Sequence, residues 1–186
     1  MPPVSIPALD ALSEDNRASI AKLAAPVNVG VVSAHSPALV APMVDYAMAV
    51  LKGLSLSARH RELVIMLVAS HTRSEYLYEL HVTFSRPFGL SDEEMAGRAA
   101  SADPTEALVL RAGTELLTTD TLTEETSAAL HEVLGEASVV EIACVVGYYR
   151  LLASLANAAR LPVDNPDDMS AVAVLAESLS RTEADR

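Results

Sequence analysis

The sequence predicts an all-α fold, a bundle of helices forming a single domain. Three observations carry this expectation. The chain is 51% apolar, with only seven glycines and no tryptophan, a composition that favours helices packed on helices. Helix-start signatures recur along it, several of them capping boxes. No stretch alternates apolar and polar residues between hairpin turns, so no sheet is expected. At 186 residues, one domain with a sizeable core is the natural reading.

The elements follow in order. Residues 1–12 are proline-rich and read as an arm. A helix is expected over Glu14–Ala24, ended by Pro26. Ser36-Pro37 reads as an N-cap with proline at the first helical position. The helix it opens carries Leu39, Met43, Tyr46, Ala47 and Val50 on one face and stops near Gly53. Ser57 caps the next helix, in which Leu63 to Ala69 is apolar on every side, the mark of a buried helix. A polar break at His71-Thr72-Arg73 turns the chain, and a second arm returns from Ser74 to Arg86, ended by Pro87 and Gly89. Ser91 to Glu94 is a capping box. Asp103-Pro104-Thr105-Glu106 opens a further helix, with Leu108, Arg111, Ala112, Glu115 and Leu116. Thr123 caps one that ends at Gly135. Ser138 to Glu141 reads as another capping box, opening a long apolar helix to about Ala159. A last helix is expected over Met169–Leu179, with a frayed tail from Arg181 to Arg186. Residues 1–34 are thus an N-terminal arm and helix, 35–163 the central helical domain, and 164–186 a C-terminal helix and tail of the same globule.

The net charge of −12 argues against nucleic acid as a partner. The single cysteine, Cys144, excludes an intramolecular disulfide and reads as a small buried hydrophobe. No Cys/His cluster has zinc spacing, and His71 with Glu75, one turn apart, supplies only two ligands, so no metal is expected. The N-terminus lacks the basic start and apolar run of a signal peptide, and the apolar stretches are shorter than a membrane span. A cytoplasmic protein with no membrane association is the expectation. The apolar excess, and the long helix from Val139 to Ala159 in particular, imply that some hydrophobic surface is covered by further copies of the chain.

The most informative pair is Glu62 and His81. They lie nineteen residues apart, centred on the polar break, so the helical hairpin brings them to the same height. A carboxylate beside an imidazole orients the ring and raises its basicity. On the second arm Ser74, Leu77, Tyr78 and His81 share one face, with Tyr76 at its edge. The bland alternatives are a hydrogen-bonded core histidine, a solvated Glu62 in a first helical turn, and tyrosines whose rings merely pack. A glutamate just before a wholly apolar run, level with a histidine on the next helix, is harder to read as two coincidences.

These residues carry a resemblance. Leu56, Arg59, Arg61, Glu62, Leu63 and Ile65, then Ser74 to Val82, then Gly89 to Glu94, resemble the carboxymuconolactone decarboxylase family, which includes the alkylhydroperoxidase AhpD-like proteins. The likeness extends over about residues 35 to 163. It implies an AhpD-like helical bundle assembled as a homo-oligomer (dimer, trimer or hexamer), with the active site on the hairpin. The peroxidases of the family carry a Cys-x-x-Cys pair four and seven residues before the histidine. Here those positions are Leu77 and Ser74, which supply neither an attacking nor a resolving thiol. Dithiol peroxidase activity is therefore not expected, although peroxiredoxin activity attaches to the family. The decarboxylases use no metal and no organic cofactor, and none is expected here. The sequence after His81, Val82-Thr83-Phe84-Ser85-Arg86-Pro87-Phe88, differs from the decarboxylase pattern, so the substrate is left open.

Three functions follow as expectations. The first is a cofactor-independent acid/base enzyme, of decarboxylase/lyase or isomerase type, acting on a small organic substrate, anionic or neutral. His81 would exchange the proton, Glu62 would orient it, Tyr76 or Tyr78 would donate a hydrogen bond to a developing enolate, and Arg73 or His71 would grip an anionic group, with Ser74 and Leu77 lining the substrate site. The second is a hydrolase-like Ser74–His81–Glu62 arrangement, which the helical rise opposes by placing Ser74 about 10 Å from His81 along the axis. The third is a non-catalytic, oligomeric small-molecule-binding protein.

Overall fold

The computed structural model describes residues 3–97 and 101–184, and every regular element among them is helical. Ten α-helices follow one another: α1 (Glu14–Ile20), α2 (Asn28–Val32), α3 (Pro37–Lys52), α4 (Ala58–Thr72), α5 (Glu75–Ser85), α6 (Asp92–Met95), α7 (Pro104–Thr119), α8 (Glu124–Leu134), α9 (Glu136–Ala159) and α10 (Pro166–Ala184). Short 3-10 turns at Leu9–Ala11, Ser33–His35 and Arg86–Phe88 complete the set.

Helix α4 is the axis of the molecule. Val64, Ile65, Met66 and Val68 are wholly buried, which is what a run apolar on all sides requires. It packs against α9, α7 and α5. The approach of α7 depends on Gly113, where a Cβ would meet Leu67 Cδ2 at 2.9 Å. Ser57 caps α4 by accepting from the His60 amide at 3.1 Å. At the other end Arg73 takes a left-handed conformation (φ 51°) and its amide bonds the carbonyls of Ala69 and Ser70. Ser74 then accepts from the Leu77 amide to start α5. The hairpin expected around His71–Arg73 is therefore present, closed by a left-handed residue and an immediate cap.

Several caps stand as the sequence predicts. Ser91 and Glu94 form a reciprocal capping box, Asp103 accepts from the amides of Thr105 and Glu106, and Thr123 accepts from the Thr126 amide. Others differ. Ser36 makes no side-chain cap. The box expected at Ser138 is not formed, because α9 already begins at Glu136. Ser138 instead bonds the carbonyls of Leu130 and Gly135, and Glu141 reaches across to the Ser55 and Leu56 amides. Helix α1 ends at Ile20, short of Ala24, since Lys22 and Leu23 turn back onto Ser19 and Ile20 in tighter bonds. Helix α10 starts at Pro166, where the Asn165 side chain accepts from the Asp167 and Asp168 amides, and it runs on past Arg181 rather than fraying there. The last two residues of the expected tail lie outside the described residues.

The N-terminal arm, the central helices and α10 share one core. Val4 bonds the Ala159 carbonyl, and Val172 and Ala176 of α10 join the same buried cluster as Ile65 and Val145. Helix α9 is the one described helix long and apolar enough to cross a membrane by length and composition. It lies against α4, α5, α7 and α8 as a central element of the bundle.

Candidate active site

The hairpin delivers Glu62 and His81 to one point. Glu62 is fully buried and His81 is 5% exposed. Glu62 Oε2 lies 2.9 Å from His81 Nδ1. The same oxygen accepts from Ser85 Oγ at 2.9 Å, and Oε1 accepts from Arg61 Nε at 3.0 Å. Burial alone pushes the Glu62 carboxyl up. The Arg61 guanidinium and then His81 outweigh it, and the group sits below its ordinary 4.5. Glu62 is thus a held carboxylate rather than a buried acid.

The ring of His81 is fixed on its other sides by aromatics. Tyr149 of α9 meets it edge-on, with centroids 4.9 Å apart and planes at 87°, and Phe84 lies at 5.8 Å. With Nδ1 taken by Glu62, proton exchange with any ligand falls to Nε2. Tyr149 is buried, and burial, with the Glu62 charge adding to it, holds its hydroxyl well above the ordinary 10.0. It stays protonated, a hydrogen-bond donor at neutral pH.

His81, Phe84 and Tyr149 line a cavity of about 100 Å³. Its other walls come from the α1–α2 connection and α2, from α3, from Leu80 of α5, from Tyr148 and Leu152 of α9, and from Val172 and Leu175 of α10. It is smaller than the ~150 Å³ that admits benzene in a dry protein cavity. No lysine or arginine is among its described lining residues. Among the described residues, no three His, Cys, Asp or Glu side chains converge as a metal would need.

The other sequence-derived candidates are placed elsewhere. Tyr76 donates to Asp164 Oδ2 at 2.6 Å and accepts from the Val29 amide at 3.1 Å, which commits its hydroxyl to joining elements. Tyr78 packs against the Leu63–Met66–Leu90–Met95 cluster as well as the main core and is not among the residues lining the His81 cavity. Ser74 caps α5 and Leu77 is core. His71 and Arg73 are exposed at the hairpin tip and line no part of the His81 cavity. Cys144 is half-buried rather than buried, on the outer side of α9, where its bond to Tyr46 helps push that phenol up to about 12.

Three contributors were not anticipated from the sequence. Ser85 lies four residues after His81, so the helical face that names Ser74, Leu77 and His81 also names Ser85. Arg61 precedes Glu62 directly. Tyr149 could be placed only by knowing how α9 crosses α5, and its spacing reads simply as core.

A helical hairpin that sets a glutamate against a histidine beneath a small cavity defines a class, and comparison with known proteins gives that class a name. Residues 37–115, which hold both arms of the hairpin, match the carboxymuconolactone decarboxylase family. Among solved structures, an alkylhydroperoxidase AhpD core, an uncharacterised peroxidase-related protein from Ralstonia eutropha JMP134, superposes with a TM-score of 0.75. That likeness covers 91% of this chain and 95% of the other at 19% identity, and it speaks for the fold. No curated protein matches the sequence. The stretch that carries the hairpin is thus similar to the carboxymuconolactone decarboxylase family, and the fold of the chain is the AhpD fold.

Proposed function

We propose that this protein is an acid/base enzyme acting on a small, uncharged and largely apolar organic molecule, with His81 Nε2 as the group that takes and returns the proton. One observation carries the reading: a carboxylate with no exposure holds Nδ1 of a cavity-lining histidine at 2.9 Å. Glu62 fixes the tautomer and stabilises the imidazolium that forms when Nε2 accepts a proton. The Tyr149 hydroxyl, kept protonated by burial, is the donor best placed to meet negative charge developing on a substrate oxygen. The family's decarboxylase chemistry on a dianionic lactone fits less well, because the cavity wall offers no cation to hold a carboxylate. Dithiol peroxidase chemistry fits less well still, because Ser74 and Leu77 stand at the thiol positions and the one cysteine is not among the residues lining the His81 cavity.

A second reading is favoured by the same wall: an apolar cavity with few polar groups also suits a non-catalytic binder. One experiment separates the two. Small ketones, acetone and butanone, are incubated with the protein in deuterium oxide and followed by NMR. Acid/base chemistry at His81 washes deuterium into an activated carbon position, and His81→Gln slows this by about 10²–10⁴-fold. Exchange within a few-fold of wild type in His81→Gln would remove the proposed base. Saturable binding with no exchange by the wild type would establish the binder.

A further inference from the structure

Arg61 holds more hydrogen-bonding capacity than the Glu62 site uses. It is 3% exposed. Nε donates to Glu62 and Nη1 donates to the Leu51 carbonyl, each at 3.0 Å. Nη2 has no hydrogen-bond partner, the one buried side-chain nitrogen or oxygen among the described residues of which that is true, and the guanidinium carbon lies 5.9 Å from the Phe84 ring centroid and 5.5 Å from that of Phe88. Leaving a buried charged donor unmet costs about 1–3 kcal/mol or more, so an acceptor is to be expected there.

Arg61 also lines a second cavity, of about 210 Å³, that shares only Leu51 with the His81 cavity. Two of its lining residues are charged, Arg61 and the exposed Lys52, and both are cations. No carboxylate is among the described lining residues, in a chain whose net charge is −12. Glu62 neutralises Arg61 only in part, because it is shared with His81 and Ser85. Apart from Thr182, the rest of the lining is aliphatic, with Leu54, Leu56 and Leu179 among it. A single water would satisfy Nη2, but a water needs neither the lysine nor the leucines. Inorganic phosphate would use the cations and gain nothing from the walls.

We propose that this second cavity binds an aliphatic monocarboxylate, its carboxylate between the Arg61 guanidinium and Lys52 and its tail against the leucines. A cavity of ~150 Å³ takes the six heavy atoms of benzene. In proportion, this one takes about eight, which is the size of hexanoate. The site does not depend on the chemistry assigned to His81.

The test is calorimetric titration of the full chain with hexanoate, with hexanol (tail without charge) and with inorganic phosphate (charge without tail). Arg61 itself is left alone, because replacing it would strand Glu62. Lys52→Glu reverses the exposed charge, and Leu179→Trp fills the tail space. Hexanoate is expected to bind once per chain, at least about tenfold tighter than either comparator. Its affinity is expected to fall by at least about tenfold in Lys52→Glu and to vanish in a folded Leu179→Trp. Lys52 is exposed, so its variant keeps the test decisive if Leu179→Trp fails to fold. The proposal is overturned if hexanoate shows no saturable binding, if phosphate or hexanol binds as well, or if Lys52→Glu binds hexanoate as the native chain does.

Discussion

Glu62 is a charged group with no contact with water, and its tolerance there depends on three donors. Arg61, His81 and Ser85 together supply what solvent would. Breaking such a buried pair by removing one partner costs about 3–5 kcal/mol, because the other charge is left unpaired. Glu62→Ala is expected to cost that much in urea unfolding at pH 7, since Arg61 then sits buried without a counter-charge. Glu62→Gln keeps acceptor atoms and is expected to cost less. A Glu62→Ala variant as stable as the wild type would mean that Arg61 finds another acceptor. The pH dependence has a definite sign. The folded carboxyl titrates below its ordinary 4.5, so near that pH the unfolded chain holds more protons than the native one. The stability that Glu62 contributes is therefore complete above about 4.5 and is lost as pH falls through the folded value. Glu62→Gln is expected to flatten this acid limb, as read from unfolding free energies between pH 3 and 6. An unchanged limb would assign it to other carboxylates.

At the scale of elements, the site is as rigid as the packing of α2, α5 and the α9–α10 connection. One residue joins all three: Asp164 accepts from Tyr76 Oη at 2.6 Å and from the Asn28 amide at 2.6 Å, while Tyr76 Oη also accepts from Val29. Burial pushes the Asp164 carboxyl above 3.8 and the Tyr76 hydroxyl above 10.0. Tyr76→Phe leaves the Val29 amide unmet and removes one of Asp164's donors, so a loss of about 1–3 kcal/mol in thermal or urea unfolding is expected. Deuterium exchange per folded molecule is expected to stay within a few-fold, which separates this joining role from the catalytic role that the sequence suggests for Tyr76. A large loss of exchange in well-folded Tyr76→Phe would restore the latter. This residue also shows where the sequence is legible and where it is not. The hairpin, and with it the Glu62–His81 contact, follows from local periodicity about a polar break, and capping residues act over three or four positions. Tyr76 and Asp164 are 88 residues apart and Tyr149 is 68 from His81, so no local pattern records either meeting. Ser138 and Glu141 have the spacing of a capping box, yet an earlier helix start at Glu136 and amides on another segment claim their side chains. Spacing names the capacity of a side chain, and tertiary packing decides which partner receives it.

At the scale of the whole molecule, no element among the described residues covers the outer face of α3 and α9. Val140 and Leu151 are each more than half exposed, Tyr46 is 39% exposed and stacked on Tyr148 at 4.7 Å, and together with Pro42, Gly147 and Cys144 they line a broad depression. This is the apolar surplus that the composition implies. We infer that a second copy of the chain covers it, because a contiguous apolar face of this kind is costly to leave in water. Charge bears on the strength of the association. Two chains of −12 repel one another across a Debye length of about 30 Å at 0.01 M salt and about 10 Å at 0.1 M. Association through an apolar face should therefore tighten as salt is raised, whereas one held by ion pairs would loosen. Sedimentation velocity at micromolar concentration is expected to show an oligomer that dissociates further at low salt. Val140→Glu combined with Leu151→Glu is expected to give a monomer at both, because each would bury a carboxylate with no partner. Both side chains point away from the core, so the fold should survive, with unfolding free energy within about 0.5 kcal/mol of a monomeric reference. A wild-type chain that sediments as a monomer at every salt concentration, or a double variant that still assembles, would place the interface elsewhere or remove it.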